Sequence, residues 1–371
     1  MQDENKLNLG KFNHLHKGVN LISSEQVYQA LSNVMDPDLN KDLVSLKMVE
    51  DVQIEGENVS FTLVLTTPAC PLRAKLEQDA REAVIAQTGA KDVHINVISR
   101  APGTKTLNLG DNQFGHVVAV GSGKGGVGKS TIAANLAISL AHQGASVGLL
   151  DADIYGPNIP RMLGIDDFQP TSKDGNKIHP ATAHGIKVVS IGFFVQEGQP
   201  LIWRGPLLHS AIQQFLSDFD WGCIDYLVVD LPPGTGDVQL SLAQSLPISG
   251  AVIVTTPQAV AVDDAYRAAV MFDKLGVPVL GIIENMAFLE LPDGTHMTLF
   301  GEGGGPALAK RSGVPFLGSI PFDQRIVQNG DNGLLIVENH VESPAAQAIH
   351  AISSNVAVEL SKRDYAHLRE G

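Results

Sequence analysis

Cysteine is scarce in this sequence, which contains only Cys70 and Cys223 among its 371 residues. Two cysteines exclude a disulfide-stabilised secreted scaffold and favour a reducing compartment, so we expect the protein in the cytoplasm. The first residues, MQDENKLNLGKFNHLHKG, contain neither a continuous apolar stretch nor a small-residue cleavage site. We therefore expect no secretory signal at this end.

Basic residues are outnumbered by acidic ones, and long apolar runs are also absent from the sequence. Lys and Arg total 26 against 40 Asp and Glu, a net charge of −14, so we expect no nucleic acid among the partners. The longest apolar runs, such as Val277 to Ile283, have the length of a strand and fall short of the ~20 residues that a membrane-spanning helix needs. A C-terminal stripe of Ile349, Ile352, Val356 and Leu360 is typical of a helix packed on its own core. We therefore expect no membrane association.

The composition changes along the chain and predicts two domains. Residues 1–20 are polar and aperiodic, which predicts a flexible arm. Residues 21–100 predict a small α+β domain with a capped helix after Ser23, a hairpin over 52–66, a second helix and a final strand. Residues 101–114, APGTKTLNLGDNQF, have the Pro and Gly content of a linker.

Residues 115–371 alternate short apolar runs with helical segments, the pattern of buried parallel strands in βαβ units. This predicts an α/β fold, a doubly wound and mostly parallel sheet preceded by the small α+β domain. The seven predicted strands are Val117–Val120, Val147–Leu150, Val188–Ile191, Tyr226–Val229, Ala251–Val254, Val279–Ile283 and Phe316–Ile320.

The segment GKGGVGKS, Gly123 to Ser130, fits the phosphate-loop pattern G-x-x-x-x-G-K-[ST] between a predicted strand and a predicted helix. Its backbone N–H groups are expected to bind the phosphates of ATP, with Lys129 reaching the β and γ phosphates and Ser130 ligating Mg²⁺. The pattern therefore predicts a P-loop NTPase. The expected nucleotide-binding residues of this segment are Gly123, Lys124, Gly125, Gly126, Val127, Gly128, Lys129, Ser130 and Thr131.

Two further strand ends carry carboxylates that suit a hydrated Mg²⁺ ion. Asp230 ends the strand of LVVDLPPGTGD and is the predicted Mg²⁺ aspartate. Asp151 and Asp153 follow another strand in LLDADIYGPNIP and project from one face because they are two residues apart. Turn formation before Gly156 is the alternative explanation for this pair.

A third group of residues is predicted to contact adenine. Asn285 ends the strand of GIIEN, and its amide can form paired hydrogen bonds with the adenine edge. Pro321 and Asp323 follow the next predicted strand and would complete the pocket. A helix-capping role is the alternative for Asn285.

The phosphate loop contains a second lysine, Lys124, which an ordinary phosphate loop does not need. KGGVGKS resembles the deviant phosphate loop of the class that includes the septum-site and chromosome-partitioning ATPases. The resemblance implies that Lys124 reaches the nucleotide of a partner subunit, and it favours Asp153 as the residue that positions the attacking water. Lys124, Lys129 and Asp153 are therefore the expected catalytic residues.

Longer segments resemble one family within that class. GKGGVGKS, DADIYGPNIPRMLG, WRGPLLHSAIQQFL, DYLVVDLPPGTGDVQLSLAQ, ENM and LGSIPFD look like the Mrp (ApbC) family of iron–sulfur cluster carrier ATPases. The segments DPDLNKDLVSLKMV and TTPACP are similar to the small cluster-assembly domain of bacterial members. The resemblance implies an ATP-binding homodimer that holds a labile 4Fe-4S cluster and passes it to apoproteins.

The sequence departs from this family at the usual cluster ligands. Members generally carry a C-x-x-C pair after ENM, and two such pairs from a dimer supply four thiolates to one cluster. Here Ala287 to Gly305 reads AFLELPDGTHMTLFGEGGG, which contains no cysteine and one histidine, His296, expected to be solvated. This loop looks closer to the chloroplast and cyanobacterial branch, which also lacks the pair.

Cys70 is the remaining candidate ligand for iron. It lies where TTPACP joins a predicted strand to a predicted helix, and a helix N-terminus favours a thiolate. The small-domain family carries a cysteine at the matching position. Burial as a small apolar side chain is the alternative for Cys70, and it is the interpretation we favour for Cys223.

These observations lead to one leading hypothesis and one alternative. The leading hypothesis is a weak Mg²⁺-dependent ATPase that carries iron–sulfur clusters as a homodimer and serves apo iron–sulfur proteins and assembly factors. The alternative is a nucleotide-switched adaptor in iron–sulfur assembly that does not itself hold a cluster.

Overall fold

The structure is a computed structural model that describes residues 22–68, 72–99, 107–172, 177–194 and 205–370. The predicted arm over 1–20, the first part of the predicted linker and Cys70 lie outside these residues. The chain divides into two compact units. One holds residues up to 64 together with 74–97, and the other holds residues 65–73 and 98–371.

The smaller unit has an α+β fold. Its first helix, α1 (Ser24–Leu31), begins with a capping box, because the side chains of Ser23 and Gln26 each accept a hydrogen bond from the other's backbone N–H. Strands β3 (Val49–Glu55), β4 (Asn58–Leu65) and β5 (Asp92–Ser99) form a sheet in that order, which confirms the predicted hairpin and final strand. The elements after α1 are β1 (Met35–Asp36), β2 (Lys41–Asp42), β3 (Val49–Glu55), β4 (Asn58–Leu65), α2 (Arg73–Thr88) and β5 (Asp92–Ser99).

The larger unit contains every strand predicted for the α/β domain. Its strands are β6 (Leu107–Leu109), β7 (Asn112–Ser122), β8 (Val147–Asp151), β9 (Ala181–Ala183), β10 (Ile186–Ser190), β11 (Cys223–Asp230), β12 (Gly250–Thr255), β13 (Val279–Glu284), β14 (Leu289–Glu290), β15 (His296–Met297) and β16 (Phe316–Ser319). Its helices are α3 (Lys129–His142), α4 (Ile159–Met162), α5 (Gly205–Ser217), α6 (Asp237–Ser245), α7 (Ala259–Lys274), α8 (Gly304–Ser312), α9 (Gln324–Asp331), α10 (Ile336–Asn339) and α11 (Pro344–Glu370), with a 3₁₀ turn at Ile191–Phe194.

The main sheet has the order β16–β13–β12–β7–β11–β8–β10–β9. Neighbouring strands from β16 to β10 pair in parallel. Strand β9 pairs antiparallel with β10, and β6 pairs antiparallel with the first residues of β7. The parallel strands therefore end at one edge of the sheet, where α/β proteins place their ligand sites. Strand β7 leads into the phosphate loop at this edge, between β11 and β12.

Helices cover both faces of this sheet. One buried cluster joins α3, α10 and α11 to the residues of β7 that include Val118 and Val120. The other joins α5 to α8 to the opposite face of β7, at Val117 and Ala119. The alternation along β7 is that of a strand buried on both faces, and it confirms the doubly wound fold.

The predicted linker is wrong at its C-terminal end, because the sheet begins at Leu107. Strands β6 and β7 form an antiparallel hairpin in which Leu107 pairs with Phe114 across the turn at Gly110. Leu107 and Leu109 pack against the buried cluster that contains Phe114. Burial of these apolar side chains orders a segment whose composition is typical of a linker.

The C-terminal helix α11 places the predicted apolar stripe against the core. Ile349, Ile352, Val356 and Leu360 are at most 2% exposed, and all belong to the cluster that contains α3. This confirms the interpretation that the stripe packs on its own protein. In the described part of the chain, we find no helix with both the length and the apolar character that a bilayer crossing requires.

Candidate nucleotide site

The phosphate loop lies between β7 and α3, as the sequence predicts, and α3 begins at Lys129. Gly128 caps this helix with φ +85°, and a Cβ there would lie 2.3 Å from the Nδ2 atom of Asn285. At Gly123 a Cβ would lie 2.0 Å from the carbonyl carbon of Asp264 in α7. Both positions therefore require glycine, the first for its backbone conformation and both for the close approach of a neighbour.

The ammonium group of Lys129 is buried in a cluster of acidic and hydroxyl groups. Its Nζ donates to Asp230 Oδ1 at 2.6 Å and to Ser130 Oγ at 3.1 Å, and it lies 3.3 Å from Asp153 Oδ2. Lys129 is only 6% exposed and Asp230 is fully buried, so these are strong charge-assisted contacts. The structure thus brings together four of the residues predicted for phosphate, Mg²⁺ and water.

Asp230 and Asp151 lie side by side on adjacent strands, β11 and β8. Burial and the Asp230 carboxylate raise the pKa of Asp151 to about 8. Burial also raises the pKa of Asp230, although the Lys129 ammonium opposes that shift. The end of the sheet therefore disfavours two ionised carboxylates side by side, and a bound cation would favour their ionised forms.

The acidic cluster has the ligand chemistry that Mg²⁺ prefers. Asp230 Oδ2 is buried and has no hydrogen-bond partner among the residues that the structure describes. Ser130 Oγ and the Asp230 carboxylate both accept a hydrogen bond from the Lys129 ammonium. Carboxylate and hydroxyl oxygens are hard ligands, so Ser130 and Asp230 fit Mg²⁺.

Asp153 lies in the loop between β8 and α4 and is 6% exposed. Its Oδ1 atom accepts a hydrogen bond from the Tyr155 backbone at 3.1 Å, and its own N–H donates to Asp151 Oδ1 at 3.2 Å. The carboxylate is thus held in a turn beside Lys129. The pair forms the turn that is the alternative explanation, and its role at Mg²⁺ and water stays a prediction.

Asn285 follows β13 and contacts the phosphate loop directly. Its Nδ2 atom donates to the carbonyl oxygen of Val127 at 2.9 Å, and the side chain is 5% exposed. The amide nitrogen is thus engaged by the loop rather than by a helix end. Adenine contact by Asn285 stays a prediction, and it requires the amide to exchange this bond.

Pro321 and Asp323 lie in the segment between β16 and α9 and line a cavity of about 630 Å³. Asp323 is the N-cap of α9, where its carboxylate accepts from the Arg325 backbone at 2.9 Å. The Arg325 guanidinium also pairs with this carboxylate and lowers the pKa of Asp323. Asp323 therefore has a structural role, and its contact with adenine stays a prediction.

Thr131 and Lys124 lie on either side of the phosphate-binding turn. Thr131 is in the first turn of α3 and lines a cavity of about 310 Å³ together with Asn135 and Asn158. Lys124 is half-buried, and its carbonyl accepts a hydrogen bond from Ser122 Oγ at 3.0 Å. This bond fixes the backbone of Lys124 at the end of β7.

The segment that lacks the family's cysteine pair forms a short hairpin, β14–β15. The ring of His296 is stacked on Phe288 with centroids 4.0 Å apart, so this histidine is exposed but not freely solvated. Across the described ranges, no group of three or more His, Cys, Asp or Glu side chains is arranged to hold a metal ion. Cys223 is exposed at the start of β11, which corrects the expectation that it is a buried apolar side chain.

Ser190, the last residue of β10, also belongs to the site, although no sequence pattern predicts it. Ser190 is fully buried, and its hydroxyl donates to Asp151 Oδ2 at 2.8 Å. A serine at the end of an apolar run carries no signal of this contact in the sequence. Only the pairing of β10 with β8 brings the two residues together.

Comparison with family profiles matches both units of the chain. A profile described as NUBPL iron-transfer P-loop NTPase matches residues 113–357, and one described as iron-sulfur cluster assembly protein matches residues 24–97. A Synechocystis protein named iron-sulfur cluster carrier protein is 48% identical over 349 residues, which are 92% of this chain and 99% of that protein.

Solved structures also resemble the larger unit. A nucleotide-binding protein from Archaeoglobus fulgidus in complex with ADP is 41% identical with a TM-score of 0.52, covering 59% of this chain and 87% of its own. The cell division ATPase MinD of Pyrococcus furiosus is 22% identical with a TM-score of 0.51, covering 65% of this chain and 98% of its own. The second likeness supports the fold alone.

Proposed function

This chain belongs to the family of NUBPL iron-transfer P-loop NTPases, and we propose that it is an ATP-dependent carrier of iron–sulfur clusters. The observation that carries the proposal is the buried cluster of Lys129, Ser130, Asp230 and Asp153 at the end of β7. The names of its relatives support an iron–sulfur cargo, and the site supports an ATP-driven step.

The phosphates of ATP bind to the loop from Gly123 to Ser130. The backbone N–H groups of the loop and of the first turn of α3 face the phosphate oxygens, and Lys129 leaves Asp230 to contact the β and γ phosphates. A Mg²⁺ ion held by Ser130 and Asp230 would supply positive charge to the same phosphates. Burial of these groups strengthens each electrostatic contact.

Hydrolysis depends on a water molecule that Asp153 orients. The Asp153 carboxylate lies 3.3 Å from Lys129 Nζ, so it faces the group that binds the γ phosphate. The water attacks the γ phosphorus while the bond to the β,γ-bridging oxygen breaks, and ADP and phosphate leave. We propose a weak Mg²⁺-dependent ATPase, since turnover in a switch is limited by conformational steps.

Lys124 acts across a homodimer in this proposal. Its backbone is fixed by Ser122, and Lys124 lies two residues beyond the end of β7, at the edge of the sheet where the parallel strands end. A second ammonium at the phosphates stabilises charge that develops during hydrolysis. Contribution from the partner subunit couples ATP hydrolysis to the association of the two chains.

The cargo is an iron–sulfur cluster, which we propose to be 4Fe-4S, and the recipients are apo iron–sulfur proteins served together with assembly factors. Cys70 is the proposed thiolate ligand. Four cysteines per dimer are available, because each chain carries Cys70 and Cys223. ATP hydrolysis would gate release of the cluster.

Anaerobic reconstitution with iron and sulfide tests this proposal. We expect wild type to bind iron, to show the absorbance of a cluster, and to activate an apo-enzyme. Cys70→Ala is expected to lose the cluster and the transfer while it keeps its ATPase activity, because Cys70 is separate from the phosphate loop in sequence. Cys223→Ala, which removes the exposed thiol on β11, is the comparison variant and is expected to lose less bound iron than Cys70→Ala.

The opposite result has a definite meaning. Wild type that binds ATP but neither holds a cluster nor activates an apo-enzyme contradicts the carrier function. That result favours the nucleotide-switched adaptor. Equal cluster binding by wild type and Cys70→Ala contradicts only the role of Cys70.

A further inference from the structure

Three neighbouring strands align their last polar residues in the active site. Asp151 at the end of β8 is paired in register with Asp230 of β11 on one side and with Ser190 of β10 on the other. All three residues are fully buried. Asp151 is thus the central member of a row that begins at the proposed Mg²⁺ aspartate and ends on β10.

Both oxygens of the Asp151 carboxyl group accept hydrogen bonds from the protein itself. Oδ2 accepts from Ser190 Oγ at 2.8 Å and lies 3.4 Å from the backbone nitrogen of Ile159, while Oδ1 accepts from the backbone of Asp153. These donors come from β10, from the start of α4 and from the loop between β8 and α4 that carries Asp153. One side chain therefore fixes both ends of the loop that carries Asp153.

The Ser190 hydroxyl extends this network to the 3₁₀ turn. Its oxygen accepts from the Gly192 backbone at 2.9 Å, so it both donates and accepts. At Gly192, a Cβ would lie 3.1 Å from Pro157, so the turn packs closely on the same loop. The segment that follows β10 thus supports the loop of Asp153 through a hydrogen-bond chain and through direct packing.

We propose that Ser190 and Asp151 are positioning residues for ATP hydrolysis, which hold the loop of Asp153 so that its carboxylate faces the attacking water. This rests on the proposed ATPase function and names residues that act through Asp153. A displacement of about 1 Å at a catalytic group reduces a rate by as much as ~100-fold, whereas phosphate binding uses the separate loop of Gly123 to Ser130.

Steady-state ATPase kinetics of full-length Ser190→Ala test the proposal. We expect kcat to fall by about tenfold, with KM for ATP within about twofold of wild type, because the lost hydrogen bonds to Asp151 and Gly192 support the loop of Asp153 and not the phosphate loop. Asp151→Asn is the second variant, and it is expected to lower kcat at least as much. Loss of folded protein would lower the bound-nucleotide stoichiometry and kcat together. A positioning role lowers kcat and leaves the stoichiometry unchanged.

Ser139→Ala is the matched control, since it removes another fully buried hydroxyl that bonds His350 and Ser353 away from this loop. Its kcat is expected to equal that of wild type. In an Asp153→Asn background, Ser190→Ala is expected to cause no further loss, because both changes remove the same alignment of water.

Two results would overturn the inference. Suppose that wild type hydrolyses ATP and that this activity depends on Asp153. An unchanged kcat in Ser190→Ala and Asp151→Asn then contradicts the positioning role but not the proposed function. Full additivity with Asp153→Asn contradicts it as well. Wild type without ATPase activity contradicts the proposed function and this inference together.

Discussion

A buried lysine held by two carboxylates is the central feature at the scale of single residues. Lys129 must contact phosphate to act in catalysis, yet here it donates to Asp230 at 2.6 Å. The same Asp230 carboxylate is the proposed ligand of Mg²⁺. Lysine and cation therefore compete for one carboxylate, and the cation frees the lysine for the nucleotide.

Asp230→Asn is expected to abolish the effect of Mg²⁺ on ADP binding. In EDTA the variant should bind ADP about tenfold more tightly than wild type, because Lys129 no longer leaves a charged hydrogen bond. Added Mg²⁺ should tighten binding in wild type but hardly in the variant. Isothermal titration with and without Mg²⁺ measures both effects.

Asp225→Asn is the matched control for this experiment. Asp225 lies near the other end of β11, where its carboxylate accepts from the Ser146 backbone at 2.7 Å. Its ADP affinity should follow wild type under both conditions. Weaker ADP binding by Asp230→Asn in EDTA would refute the competition between lysine and cation.

At the scale of elements, α3 joins the phosphate loop to the C-terminal helix. Its Ser139 hydroxyl bonds His350 Nδ1 at 2.6 Å and Ser353 Oγ at 2.7 Å, and Gln143 Nε2 donates to the same Ser353 at 2.7 Å. The helix that begins with Lys129 is thus clamped at its far end by α11. Burial lowers the pKa of His350, and His142 adds to this shift.

The depressed pKa of His350 predicts a loss of stability on acidification. Below about pH 6.5, the usual histidine pKa, the unfolded chain binds a proton that the folded chain resists, so the free energy of unfolding falls as the pH drops. We expect His350→Gln to lose less stability than wild type between pH 7.5 and pH 5.5. Chemical denaturation at a series of pH values provides the measurement.

His179→Gln is the control, because His179 is exposed on the same unit. It should keep the pH dependence of wild type. An unfolding free energy with the same slope in His350→Gln and wild type would show that burial of His350 does not contribute.

At the scale of the whole molecule, we propose that the site is completed by Lys124 of a second chain. The protein carries a net charge of −14, and a lysine contributed by a partner subunit would place positive charge where the phosphates bind. A dimer formed around ATP therefore links nucleotide binding to association.

Mixing two inactive variants tests this arrangement. We expect Lys124→Ala and Asp153→Ala each to be nearly inactive, while a 1:1 mixture recovers roughly a quarter of wild-type ATPase activity. Half of the dimers are then mixed, and each mixed dimer has one site with its own Asp153 and the partner's intact lysine. ATPase assays after exchange of subunits provide the measurement.

The mixture also distinguishes a Lys124 that acts in the partner's site from one that acts in the site of its own chain. If Lys124 acted within its own chain, neither site of a mixed dimer would be complete, and the mixture would be as inactive as its components. A mixture of Lys129→Ala with Asp153→Ala is the control, because Lys129 lies 3.3 Å from the Asp153 of its own chain and no mixed site is complete.

The sequence by itself determined the phosphate site and the class of fold. Strand, glycine turn and lysine are consecutive from β7 to α3, so the local pattern contains the whole phosphate loop. The buried parallel strands were predictable because a strand covered on both faces is apolar at every position. Short elements such as β6 and β9 were missed, since three residues give no periodicity to detect.

Tertiary structure alone decided which distant residues meet. Sequence predicted Asp151 and Asp230 separately, but only the order of β11, β8 and β10 puts them in register with each other and with Ser190. Likewise, Asn285 reaches Val127 across 158 positions of sequence because β13 and β7 end at the same edge of the sheet. Backbone pairing between strands depends on burial and on hydrogen bonds over the whole sheet, and no local pattern encodes which strands become neighbours.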